Sequence, residues 1–131
     1  MRDFPNSEGT LRIPLQEGKA VLSVRRVLQE EITDEIPRKA CTKWMDYDKI
    51  KEGFCIRTRE SGDYIMNDAF GHHKKLKQYF IDEKIPASKR DKTWLLTQGQ
   101  HVLWVVGGRI SEAVKVTKDT KTILEITYEE E

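Results

Sequence analysis

The 131-residue chain has only two cysteines, Cys41 and Cys55, and four prolines. Two thiols make no disulfide framework, which excludes a small stapled scaffold and points to a reducing, cytoplasmic compartment. The cysteines are far more widely spaced than the roughly two to four residues between paired zinc ligands. With His72 and His73 they are expected to stay reduced and metal-free. No run approaches about eighteen consecutive apolar residues, so no membrane-spanning helix is expected. The N-terminal stretch MRDFPNSEGTLRIP lacks the apolar core of a secretory signal. There is no Gly/Ser linker, internal repeat or low-complexity stretch, so residues 1–131 are expected to form a single domain. GxSxG, Walker A and GxGxxG patterns are all missing, and no catalytic residue is expected. Net charge is almost nil, 23 basic against 22 acidic residues.

What is present is a packed domain with one basic segment. Apolar residues make up 37% and charged residues 34%, with three Trp. These proportions place the chain among folded proteins rather than disordered ones. Residues 72–92 carry seven basic and three acidic side chains, an excess found nowhere else in the chain. A near-neutral protein with one basic segment suits local binding of a polyanion.

Periodicity places several elements. Residues 19–29 alternate and predict a strand with Ala20, Leu22, Val24 and Leu28 on one face, interrupted by Arg26. Residues 30–38 are polar and broken by Pro37. Residues 53–59 predict a second strand, with Cys55, Arg57 and Arg59 on one face, followed by a turn at 61–63. Residues 74–86 predict the main helix, with Leu76, Tyr79, Phe80 and Glu83 on one stripe and Pro86 as its stop. Ser88 to Asp91 has the spacing of a capping box. Residues 101–106 are apolar on both faces, as in a central strand, and Gly107-Gly108 ends them. Residues 122–128 put Leu124, Ile126 and Tyr128 on one face. The fold class is α+β, mostly antiparallel, with one main helix.

The candidate contacts are basic. On one strand face Arg57 and Arg59 would lie about 7 Å apart, of the order of successive phosphates on a nucleic-acid strand. An ordinary wet sheet face explains the same pair. At 100° per residue, Lys77, Lys84 and Lys74 flank the apolar stripe, with Lys75 opposite, near Asp82. With Lys89 and Arg90 they form either a solvated face or a phosphate-binding patch. His72 and His73 either approach an anion at the helix N-terminus or sit in a polar loop.

At KKLKQYFIDEKIPASKRD, residues 74–91, the chain resembles the C-terminal domain of bacterial tRNA(Ile)-lysidine synthetase. Upstream, IRTRESGD (56–63) resembles that family's Arg-x-Arg and Gly-Asp element. Downstream, residues 102–126 resemble its Trp-Val, Gly, Arg-Ile-Ser and Thr-Lys elements, which include Arg109. Trp44 and Asp46 resemble the preceding Asp-containing strand. The likeness covers residues 44–126, and residues 1–40 match loosely. Thr93-Trp94 replaces the family's usual apolar-Pro pair, and His72-His73 replaces a loop of small residues.

The resemblance implies a β-sandwich-like α+β module, similar to a domain of the phenylalanyl-tRNA synthetase β subunit. It implies a parent ligase that uses ATP and magnesium to adenylate the wobble cytidine of tRNA(Ile), after which lysine displaces AMP. The family's N-terminal catalytic domain carries an SGGxDS-type loop that this sequence lacks, so an excised, catalytically silent domain is expected, with no cofactor of its own. The implied partners are the tRNA acceptor stem and the enzyme's own catalytic domain. The implied tRNA contacts are Arg57, Arg59, Lys74, Lys75, Lys77, Lys84, Lys89, Arg90 and Arg109. The alternative is an intramolecular docking module that does not touch tRNA.

Overall fold

A computed structural model describes residues 10–15, 20–28, 42–50, 53–68 and 70–130. In chain order the strands are β1 (Thr10–Leu15), β2 (Ala20–Leu28), β3 (Thr42–Asp46), β4 (Cys55–Arg57), β5 (Tyr64–Met66) and β6 (His73–Lys75). Then come helices α1 (Leu76–Asp82) and α2 (Ala87–Arg90), and strands β7 (Leu95–Gln98), β8 (His101–Val105) and β9 (Thr122–Glu130). The chain divides into two compact units, one mainly of residues 53–113 and the other of residues 3–52 with 114–131.

The second of these units is a four-stranded antiparallel sheet in the order β1-β2-β9-β3. The alternation in β2 does what period two requires: Ala20, Leu22 and Val24 are buried. They pack with Ile13, Leu15, Met45, Leu124 and Ile126 as core residues. Arg26 continues that face and lays its guanidinium 5.1 Å from the centre of the Tyr47 ring. Asp46, itself buried, accepts hydrogen bonds from the Asp48 amide at 3.1 Å and the Thr120 hydroxyl at 3.0 Å. The expected roles of Cys41, of residues 30–38 and of the Leu28 side chain lie outside the described residues.

The unit of residues 53–113 is a five-stranded sheet in the order β4-β7-β8-β5-β6. All pairs are antiparallel except β5 with β8. As expected of a strand apolar on both faces, β8 is central, with Val102, Leu103 and Trp104 fully buried. Gly107 ends it at φ 87°. Leu76, Tyr79 and Phe80 of α1 pack on Ile65, Leu95, Val102 and Val105. Each large apolar side chain so buried contributes about 1.5–3 kcal/mol.

Four expectations are corrected. The helix does not begin at Lys74: Lys74 and Lys75 belong to β6, paired with Ile65 and Tyr64. Tertiary pairing overrides the helical periodicity there, because the Asp63 carbonyl takes the Leu76 amide at 2.9 Å and so sets where the helix starts. Nor does Pro86 stop the helix. The Ile85 amide donates to Phe80 O and the Lys84 amide to Ile81 O, both at 3.0 Å, with Lys84 at φ 56°. This is a Schellman ending with lysine where glycine is usual. Pro86, not Ser88, precedes α2, and α2 has no side-chain cap. Finally, the strand predicted over 53–59 is regular only from Cys55 to Arg57, so Arg59 lies beyond it.

Candidate nucleic-acid interface

The segment from Arg57 to Leu76 builds the site. Arg57 Nη1 donates to Asp63 Oδ2 at 2.9 Å, and Nη2 donates to Asp63 Oδ1 at 2.8 Å. The same guanidinium donates to the carbonyls of Thr58 at 2.9 Å and Gly99 at 3.0 Å. Asp63 also accepts from the Glu60 amide at 2.7 Å, and its carboxylate is 1% exposed. The hydrogen bond to Asp63 outweighs burial and raises the Arg57 pKa above its ordinary value. Arg57 therefore clamps the loop that starts the helix, a bidentate pairing well suited to guanidinium.

Arg59 is different. Its Nε donates to Asp91 Oδ1 at 2.7 Å, and its Cζ lies 5.7 Å from the centre of the Phe80 ring. Its two terminal nitrogens have no partner among the described residues. Arg59, Asp91, Glu60, Tyr64, His73, Lys75 and Lys77 line one groove of about 690 Å³, floored by Gly62, Asp63 and Leu76. Lys75 and Lys77 are exposed there without an ion pair among the described residues.

The other predicted residues separate into two kinds. Lys74 is paired with Asp82 at 2.6 Å, which corrects the expected pairing of Lys75 with Asp82. The Lys74 hydrogen bond pulls Asp82 below its usual range, and Gln78 adds to it. Arg90 Nε donates to the Ile85 carbonyl at 2.8 Å. Arg109 donates to the Asn67 carbonyl at 3.0 Å and lies 3.5 Å from Glu112. Lys84 and Lys89 are exposed and unpaired among the described residues, as is Lys92, which the sequence reading passed over.

The histidines part company too. His72 Nδ1 lies 2.7 Å from Asp68 Oδ2. His73 lines the groove beside Tyr64, with ring centres 5.0 Å apart and planes at 56°. Behind Tyr64, His101 stacks at 5.2 Å and 3°. Burial pushes the His101 pKa down, favouring the neutral ring, and its Nε2 lies 2.8 Å from the buried Ser111 hydroxyl. At the helix start the Leu76 amide donates to the Asp63 carbonyl, at 2.9 Å. Tyr64 was missed, because an aromatic in a three-residue strand carries no periodic signal.

Fold and site together define a small α+β module, mostly antiparallel, with a lysine-rimmed groove beside its main helix. Residues 54–126 match the family model of the TilS substrate C-terminal domain, and the chain belongs to that family. The tRNA(Ile)-lysidine synthase of Caldanaerobacter subterraneus subsp. tengcongensis is 43% identical over 98 residues, covering 75% of this chain and 21% of that protein. That of Clostridium tetani is 38% identical over 122 residues, covering 89% of this chain and 26% of that protein. A crystal structure of a TILS C-terminal domain shares the fold at TM-score 0.72 and 22% identity, over 92% of this chain and 90% of that one. The chain thus spans about a fifth to a quarter of the length of these two curated relatives.

Proposed function

We propose that this chain is the tRNA-holding module of a tRNA(Ile)-lysidine synthase. It grips the acceptor stem while a catalytic domain of the longer protein ligates lysine to the wobble cytidine, in the cytoplasm, using ATP and magnesium. The observation that carries this reading is the set of exposed cations without ion-pair partners among the described residues: Lys75 and Lys77, which line the groove with the open end of Arg59, and Lys84 and Lys89 outside its lining. Such cations give affinity and register on phosphates rather than base reading. Arg57, Lys74, Arg90 and Arg109 act mainly by holding this surface in shape.

Among the described residues, the groove is not built to hold ATP and magnesium. The groove carboxylates Asp63 and Asp91 are committed to Arg57 and Arg59. No three His, Cys, Asp or Glu side chains converge among the described residues.

The test is a salt-titrated mobility shift with isoleucine tRNA and with a minihelix of its acceptor stem. Charge reversal of Lys75, Lys77 and Lys84 to Glu should weaken binding by at least about tenfold. It should also flatten the slope of log K against log salt by about 0.7–0.9 per lost contact. A folded triple variant with unchanged affinity and slope would leave the second reading, a docking surface for other domains of the same protein. The 87% exposure of Phe70, held out on a loop braced by Asp68, favours that reading.

A further inference from the structure

We infer that the groove beside β6 takes an unpaired ribonucleotide at the end of an RNA duplex, with its base against Tyr64 and His73 and its flanking phosphates on Lys75, Lys77 and Arg59. This rests on the reading of the chain as a tRNA-holding module and adds a position that phosphate gripping alone does not require. Cations by themselves would suit the outside of a paired stem. Within a stem each paired base has both faces covered by its neighbours, and a terminal pair shows only its outer face, whereas an unpaired base can turn into a groove and lay a face on an aromatic ring.

The groove joins the two chemistries. Tyr64 and His73 form an aromatic wall, and His101, stacked on Tyr64 and anchored to Ser111, fixes the Tyr64 ring from behind. Arg59 is steered by Asp91 through Nε alone, which leaves its terminal nitrogens for a ligand. The volume, about 690 Å³, falls within the roughly 300–1,000 Å³ of small-ligand sites and is too small for a duplex. A free nucleotide shares this chemistry, but the groove offers it no phosphate loop. Its one lining glycine, Gly62, sits where a Cβ would come 2.5 Å from the Gln100 amide, so its smallness serves packing.

The experiment compares two acceptor-stem minihelices by fluorescence anisotropy, one blunt and one with an unpaired 3′ extension, with AMP as competitor. The extended form should bind about tenfold more tightly, the worth of one stacked base. Tyr64→Leu and His73→Ala should each bring that ratio towards one, with a much smaller loss of affinity for the blunt form. Tyr64→Phe, which keeps the ring, should preserve the ratio. Should Tyr64→Leu fail to fold, His73→Ala decides, since His73 is exposed on the edge strand. Equal binding of both minihelices by the wild-type chain would overturn the subsite and leave the acceptor-stem reading standing. Binding of neither would overturn both. Displacement of the extension by AMP at comparable concentration would overturn the RNA-end assignment in favour of a free nucleotide.

Discussion

The two compact units are stabilised by different means. The unit built from residues 3–52 and 114–131 relies on long strands: β2 and β9 are each nine residues and pair along their whole length. The unit of residues 53–113 has strands of three to five residues, and side-chain bonds to loops set where they begin and end. Long alternating strands specify their own register, because a one-residue slip would turn every apolar side chain outward. Short strands cannot do so, and the Arg57–Asp63 clamp supplies what alternation does not. The groove belongs to the clamped unit, where charged side chains already determine the shape of the surface.

The sharpest way to break this contrast is to remove the clamp. Asp63→Ala leaves the Arg57 guanidinium without its fork and should destabilise residues 53–113 by about 3–5 kcal/mol. Segment-resolved hydrogen exchange should show protection lost first in β4, β5 and α1, with the β2–β9 ladder least affected. Equal loss in both units would show that they are not separately stabilised. The paired replacement Arg57→Met with Asp63→Leu should recover much of the loss, since it removes both charges together.

A smaller effect is expected in the long-strand unit. Glu125 accepts from Arg25 Nε and from Trp44 Nε1, both at 2.8 Å. Burial raises its pKa, but these hydrogen bonds outweigh burial and hold the carboxyl below its usual range. A depressed folded value means the ionised form stabilises the fold. That contribution is full above the unfolded value of about 4.3 and disappears as pH falls through the folded value. Glu125→Gln should therefore cost about 1–2 kcal/mol at neutral pH. In chemical denaturation the gap to wild type should close in acid. A gap independent of pH would mean that the charge of Glu125 is irrelevant to the sheet.

The same contrast explains what could be read beforehand. Strand β2, the two-faced β8, β9 and the stripe of Leu76, Tyr79 and Phe80 were legible because burial imposes a period on them. The strand character of Lys74 and Lys75 was not, because it comes from pairing with β5 rather than from their own residue types. The intramolecular partners of Arg57, Arg90 and Arg109 were hidden for a related reason. A guanidinium meant for phosphate and one meant for a carboxylate or carbonyl look alike until the chain brings the partner. Arg57 meets Asp63 six residues on, and Arg109 meets Asn67 at a separation of 42. The free lysines were legible as a charge excess, but which of them share a groove was not.

The smallest effect is expected at Lys84, and it has the opposite sign for stability. Its φ of 56° places a β-carbon in the left-handed region at the helix end, where glycine is favoured. Lys84→Gly should relieve that conformation and stabilise the clamped unit by roughly 0.5–1 kcal/mol, after allowing for the extra freedom of glycine in the unfolded chain. A lysine at such a position fits a role for its ammonium group on RNA phosphate. Lys84→Gly should then bind the acceptor-stem minihelix a few-fold more weakly although it melts higher. Lys84→Ala separates the two effects: it keeps the left-handed β-carbon and loses the charge, so it should bind as weakly as the glycine variant without the gain in melting temperature. Unchanged binding in both variants would remove Lys84 from the contact surface and confine the grip to the groove lysines, whereas a glycine variant that melts no higher would show that the left-handed turn is unstrained.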